Sequence, residues 1–110
     1  MVVKFTDLDR ELMRSKAGEA AKLVRILANE DRLLLLCQLT KGERSVSELE
    51  EQLGILQPTL SQQLGVLRTD GVVNTRRDGK RIYYSISDPN VLTVLSTLCG
   101  LYCQQSGEES

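Results

Sequence analysis

The 110-residue sequence predicts a mostly α-helical domain with one small β-hairpin, its elements in the order α-α-α-α-β-β-α. Three observations carry that expectation. Apolar residues recur at helical spacing through successive segments ahead of Gly71. Two runs that alternate apolar and polar residues then flank Asp78-Gly79, a strong hairpin signal. Asp88-Pro89 opens one more helical period, with Asp suited to the N-cap and Pro to the first helical position.

Residues from about Thr6 to Leu27 read as a long first helix, with Leu12, Ala20, Leu23, Ile26 and Leu27 as its main apolar positions. Its first half is too polar to bury itself within one small domain, which leaves it frayed or docked on a second subunit. Asn29 is placed to cap the next helix, with Glu30 and Asp31 where negative charge suits the helix dipole. That helix, Arg32-Leu-Leu-Leu-Leu-Cys-Gln-Leu39, is apolar nearly all round and marks the buried centre. Ser45-Val-Ser-Glu48 has the spacing of a capping box and starts a short amphipathic helix, Val46 to Leu53, closed by Gly54.

The following helix is expected over Gln57 to Arg68, with Pro58 at its first position and Leu60, Leu64 and Leu67 as its buried stripe. If Asp78-Gly79 forms the hairpin turn, Arg77 pairs with Lys80, Arg76 with Arg81, Thr75 with Ile82 and Val73 with Tyr84. One face then carries Val73, Ile82, Tyr84 and Ile86, and the tip carries Arg76, Arg77, Lys80 and Arg81. The last helix uses Val91, Leu92, Leu95, Leu98, Cys99 and Tyr102 as its apolar side, and residues 104–110 are expected to be a mobile tail.

A hydrophobic content of 41% with 26% charged residues is that of a water-soluble globular chain, expected to be one domain over residues 1–110. It holds no apolar run of about 18 residues, so no membrane partner is expected. The start, Met1-Val-Val-Lys-Phe-Thr-Asp7, lacks the basic-then-apolar pattern of a secretory signal. The expectation is a cytoplasmic protein whose three cysteines are reduced at rest. Histidine is absent, which removes the usual general base and the commonest metal ligand and argues against an enzyme. A net charge of −1 argues against a uniformly basic nucleic-acid binder, yet phosphate contact depends on local charge.

Local chemistry points to DNA. Two short helices joined by a Gly-containing turn make a helix-turn-helix, whose second helix lies in the major groove with its N-terminal residues at the base edges. Here that helix start offers Gln57, Thr59, Ser61, Gln62 and Gln63, side chains that donate and accept hydrogen bonds without negative charge. An ordinary helical pair with a solvated polar face explains the periodicity equally well. The basic hairpin that follows shifts the balance, because Arg76, Arg77, Lys80 and Arg81, together with Arg68, are placed to hold phosphates.

Helix, helix, helix-turn-helix, basic hairpin, helix is the order of a winged helix. The sequence resembles the ArsR/SmtB family of bacterial repressors in Leu27-Ala-Asn-Glu-Asp-Arg-Leu33, Ser47-Glu-Leu49, Gln57-Pro-Thr-Leu-Ser-Gln-Gln-Leu64, Leu67-Arg-x-x-Gly71 and Arg81-Ile-Tyr-Tyr84. The resemblance implies a homodimer built on the first and last helices, binding double-stranded operator DNA with inverted symmetry and releasing it on sensing an inducer. Members that sense arsenic or cadmium carry a Cys-x-Cys-type pattern where this chain has Ser45-Val-Ser47, and zinc sensors use histidines that are absent here. The layout of Cys37 and Cys103 resembles the persulfide-responsive BigR/SqrR/HlyU-type branch, in which two cysteines at these places are joined by a disulfide or polysulfide. That likeness implies redox sensing by Cys37 and Cys103 with sulfane-sulfur donors as inducers, no cofactor, and Cys99 outside the pair.

Residue chemistry alone leaves the cysteines open. Cys37 in an apolar helix is also what a small buried hydrophobe looks like. Cys99 and Cys103 are four apart on one helix face, so with Cys37 they could hold a soft metal or metalloid. A thiol oxidoreductase is disfavoured by the absence of a Cys-x-x-Cys motif, and a pure protein-interaction module would show no salt-dependent DNA binding.

Overall fold

The computed structural model describes residues 7–102, so Cys103 and the tail expected at residues 104–110 lie outside the described residues. The elements run α1 (Asp7–Leu27), α2 (Glu30–Leu39), β1 (Arg44–Ser45), α3 (Val46–Leu53), α4 (Thr59–Thr69), β2 (Val73–Asp78), β3 (Arg81–Ile86) and α5 (Pro89–Tyr102). This is the winged helix-turn-helix that the sequence predicts, mostly helical with a small antiparallel hairpin. A short strand is added: β1 pairs with β3, so the sheet order is β1-β3-β2.

Local capping sets the helix starts. The Asn29 side chain accepts from the Arg32 amide at 3.0 Å. Ser45 accepts from the Glu48 amide at 3.2 Å while the Glu48 carboxylate accepts from the Ser45 amide at 2.8 Å, closing the capping box. Asp88 accepts from the Asn90 amide at 2.9 Å ahead of α5. Gly54 ends α3 at φ 71°, a conformation that needs no Cβ.

Packing converges on α2. Leu35, Leu36 and Leu39 on it are buried together with Leu49 of α3, Leu60, Leu64 and Leu67 of α4, and Val91 and Leu95 of α5. Each such Leu contributes about 1.5–3 kcal/mol of burial. α1 is anchored at its end by Ile26 and Leu27, and residues 10–22 are exposed. Leu12, Met13 and Val24 of α1, Leu34 of α2, and Leu92, Leu101 and Tyr102 of α5 are large apolar side chains left in solvent.

Two local expectations are corrected. The hairpin register places Asp78 opposite Arg81, Arg77 opposite Ile82, Arg76 opposite Tyr83, Thr75 opposite Tyr84 and Val73 opposite Ile86. The turn is therefore Gly79-Lys80, with Gly79 at φ 66° and, among the described residues, no non-glycine residue at positive φ. Glycine at the first central position lets the turn close with one positive φ, whereas an Asp78-Gly79 turn would have asked for two. Because the shift keeps the same residues on each face, Val73 and Tyr84 still point into the core. The recognition helix also starts later than expected, at Thr59, with Gln57 and Pro58 in the turn before it.

Candidate nucleic-acid interface

Three apolar anchors and a side-chain cap set the position of α4. Leu60, Leu64 and Leu67 are buried to 1% exposure or less, so the opposite face of the helix is turned outward. Pro58 offers no side-chain cap, and Gln57 supplies one instead. Its side-chain carbonyl accepts from the Ser61 amide at 3.2 Å and also from the Ser61 hydroxyl. Gln57 thus spends its acceptor on the helix start and keeps its amide donors outward.

The polar side chains of this face fall into two groups. Gln63 is half-buried, and its side-chain oxygen accepts from an Arg32 guanidinium N–H at 3.2 Å. Arg32 also donates to the Ile26 carbonyl at 2.7 Å and the Arg25 carbonyl at 3.2 Å, so it ties the end of α1 to α4. Thr59 is half-buried in the first turn. Gln62 is exposed and makes no side-chain hydrogen bond among the described residues. Both ends of its amide are available to a base edge, in the fashion that suits adenine. Arg68 is exposed in the last turn, about 14 Å along the helix from Thr59.

The hairpin divides the same way. Arg76 lies on the solvent face opposite Tyr83, its guanidinium 4.7 Å from the ring centroid. It reaches across that ring to Glu43, just before β1, and donates to both carboxylate oxygens at 2.9 and 2.7 Å. The hydrogen bond from Arg76 holds the Glu43 carboxyl below its usual range, and the same bond raises Arg76. Arg76 is also 3.9 Å from Asp78. Of the four cations at the tip, Arg76 is thus neutralised internally. Arg77, Lys80 and Arg81 are exposed and have no ion pair among the described residues.

Sequence reasoning missed Arg32, Glu43 and Tyr83 as supports of this surface. Only the capping pattern around Asn29 pointed near Arg32, and nothing local announces that Glu43 meets a residue 33 positions on.

The described thiols lie on α2 and α5. Cys37 on α2 packs half-buried against the core, and Cys99 of α5 lies with its sulfur 4.0 Å from that of Cys37. Ser45 and Ser47, where a metalloid-sensing pattern would place thiols, are hydroxyls 3.3 Å apart, and Ser45 serves the capping box. That pair does not fit a soft metal. Among the described residues no helix is long and apolar enough to cross a membrane.

Comparison with known proteins agrees with this geometry. Residues 29–75 match the bacterial regulatory protein, arsR family. The biofilm growth-associated repressor of Xylella fastidiosa is 47% identical over 98 residues, 89% of this chain and 86% of its own. The crystal structure of the repressor BigR from Xylella fastidiosa superimposes with a TM-score of 0.80 at 48% identity, covering 86% of this chain and 96% of that one. Reduced HlyU from Vibrio cholerae gives a TM-score of 0.82 at 40% identity, over 86% of this chain and 99% of that one. The chain belongs to the ArsR family of bacterial regulatory proteins, and it is a DNA-binding transcriptional regulator, not an enzyme.

Proposed function

We propose that the whole chain, residues 1–110, works as a homodimeric repressor of an operator with inverted symmetry, released when reactive sulfur joins Cys37 to Cys103. Base contact falls to Gln62 first, with Gln57, Thr59, Ser61 and Gln63 shaping the helix start. Phosphate contact falls to Arg77, Lys80 and Arg81, with Arg68 farther along α4. The apolar side chains left exposed on α1 and α5 support dimerisation through those helices. Two symmetric recognition helices would then reach successive major grooves, roughly 34–36 Å apart.

The observation that carries the switch is the set of connections made by α2. The helix that bears Cys37 also bears Arg32, bonded to Gln63 of α4, and Gln38, which donates to Gln52 of α3 at 2.8 Å. A bridge that pulls on α2 therefore acts on both helices of the helix-turn-helix. In the chemistry, a Cys37 thiolate takes the outer sulfur of a persulfide RSSH and expels RS⁻. The Cys103 thiolate then attacks the Cys37 sulfur, forms the disulfide and expels hydrosulfide; further sulfur transfer before closure gives a longer bridge.

Fluorescence anisotropy on the promoter DNA of the protein's own gene tests the reading, comparing reduced protein with protein treated with glutathione persulfide. Tight binding when reduced, weakened by treatment and restored by a thiol reductant, is the expected result. A coupling of about 1–3 kcal/mol corresponds to roughly 5–150-fold in affinity. A full response in Cys37→Ser would overturn the mechanism.

The Cys37–Cys99 contact favours a second reading, in which Cys37, Cys99 and Cys103 hold a soft metal or metalloid. Release of DNA by cadmium or arsenite, lost in Cys99→Ser, distinguishes it.

A further inference from the structure

The sulfur of Cys99 stands 4.0 Å from that of Cys37, across the contact between α5 and α2. This is near van der Waals contact for two sulfurs. A disulfide needs about 2.05 Å between them, a distance that side-chain rotation supplies where the Cα atoms stand within about 7 Å. Neither thiol is deeply enclosed: Cys37 and Cys99 are both half-buried, and the neighbouring Gln38 and Gly100 are half-buried and exposed. Small oxidants therefore have access to a pair whose sulfurs already face each other. Cys103 lies four residues beyond Cys99 in sequence.

We propose that Cys37 and Cys99 are a second redox pair, closing to a direct disulfide by exchange with a small-molecule disulfide such as glutathione disulfide while α2 and α5 keep their present arrangement. One cysteine thiolate attacks a sulfur of the small disulfide, forming a mixed disulfide and expelling one thiolate. The other cysteine thiolate attacks the protein sulfur of that mixed disulfide and expels the second. The two protein thiols give up two protons and two electrons in all, and the small disulfide is reduced to two thiols. The inference shares Cys37 with the sulfur-sensing reading but requires neither sulfane sulfur nor Cys103. A closed Cys37–Cys99 bridge withholds Cys37 from persulfide, so disulfide stress and reactive sulfur produce different states of one regulator.

Cys103→Ser, as the full chain, isolates the pair. After incubation with glutathione disulfide, its intact mass should fall by two hydrogen atoms, and iodoacetamide should label neither Cys37 nor Cys99. In the wild-type chain the bridge is mapped with chymotrypsin. Cleavage after Tyr102 separates Cys99 from Cys103, which trypsin leaves on one peptide because no Lys or Arg follows Arg81. Oxidised and reduced Cys103→Ser should bind operator DNA within about twofold of each other, since a bridge between thiols already in contact moves little. A persistent glutathione adduct, a disulfide between two chains, unreacted thiols, or a large loss of affinity on closure would each overturn the proposal. Cys99→Ser treated with persulfide keeps the two readings apart: it tests Cys37 and Cys103 alone, and its outcome does not bear on the Cys37–Cys99 bridge.

Discussion

The recognition helix and the wing both present polar residues to solvent, yet they are held in place by different forces. α4 is fixed from beneath by Leu60, Leu64 and Leu67, all essentially inaccessible to water. The outer half of the hairpin has a lighter footing, the half-buried Ile82 packed against the core. Beyond Tyr84 its position rests on that one side chain, on strand pairing and on the exposed contact from Arg76 over Tyr83 to Glu43. The contrast teaches that the helix is held by buried leucines, whereas the outer wing adds to a thin apolar footing an ion pair that answers to salt and pH.

The largest expected effect comes from removing an anchor. Leu64→Ala should destabilise the fold by about 2–5 kcal/mol in urea titrations, because the cavity adds to the lost burial. A loss well under 1 kcal/mol would mean that α4 is held by something other than its apolar stripe.

Next comes the exposed amide. Gln62→Ala should leave the unfolding midpoint in place and reduce discrimination between operator variants by about 1–3 kcal/mol at one base position. Uniform weakening on every sequence would demote Gln62 to a positioning role.

The wing cations should show a different signature. Arg77→Ala or Lys80→Ala should weaken binding to all sequences alike and lower the salt slope by about one unit each. Arg76→Ala should change that slope less, its charge being already matched by Glu43. Equal slopes for Arg76→Ala and Arg77→Ala would erase the division between supporting and contacting cations.

The smallest effect tests the clamp. Arg76 lowers the Glu43 carboxyl below its ordinary value of 4.5, so the contribution of the ion pair is fully present above that value. It is lost as pH falls through the lowered folded-state value. Glu43→Gln should leave the global midpoint nearly unmoved at neutral pH, speed amide exchange along β2, and abolish the acid-side change in that exchange. An acid-side change that persists in Glu43→Gln would assign it to another carboxylate.

Features that depend on neighbours in the chain were readable from the residues. Asn29, the Ser45–Glu48 box and Asp88 each act within three positions, and the leucine spacing announced which face of α4 turns inward. The turn lies one residue beyond the expected Asp78-Gly79, because Gly79 alone meets the positive-φ requirement in the pair Gly79-Lys80. β1 is two residues long, too short for any alternation to show. At the interface, the sequence identified the polar and basic residues but not which of them are already engaged. Gln63 is committed by an arginine 31 positions away and Arg76 by a glutamate 33 positions away. The meeting of Cys37 with Cys99, 62 positions apart, is equally invisible before the chain folds.

Arg32 has a mechanical consequence. Its planar, delocalised guanidinium cannot turn one N–H without turning the rest. Three of its nitrogens grip two carbonyls at the end of α1 and the Gln63 side chain of α4. The group therefore behaves as a gear tooth meshed with both helices. Any rotation of the α1 terminus against α4 must stretch one of these bonds or swing the Gln63 amide. A second copy seated on α1 would thus have a lever on the chemical face shown to DNA, some distance from where that copy touches.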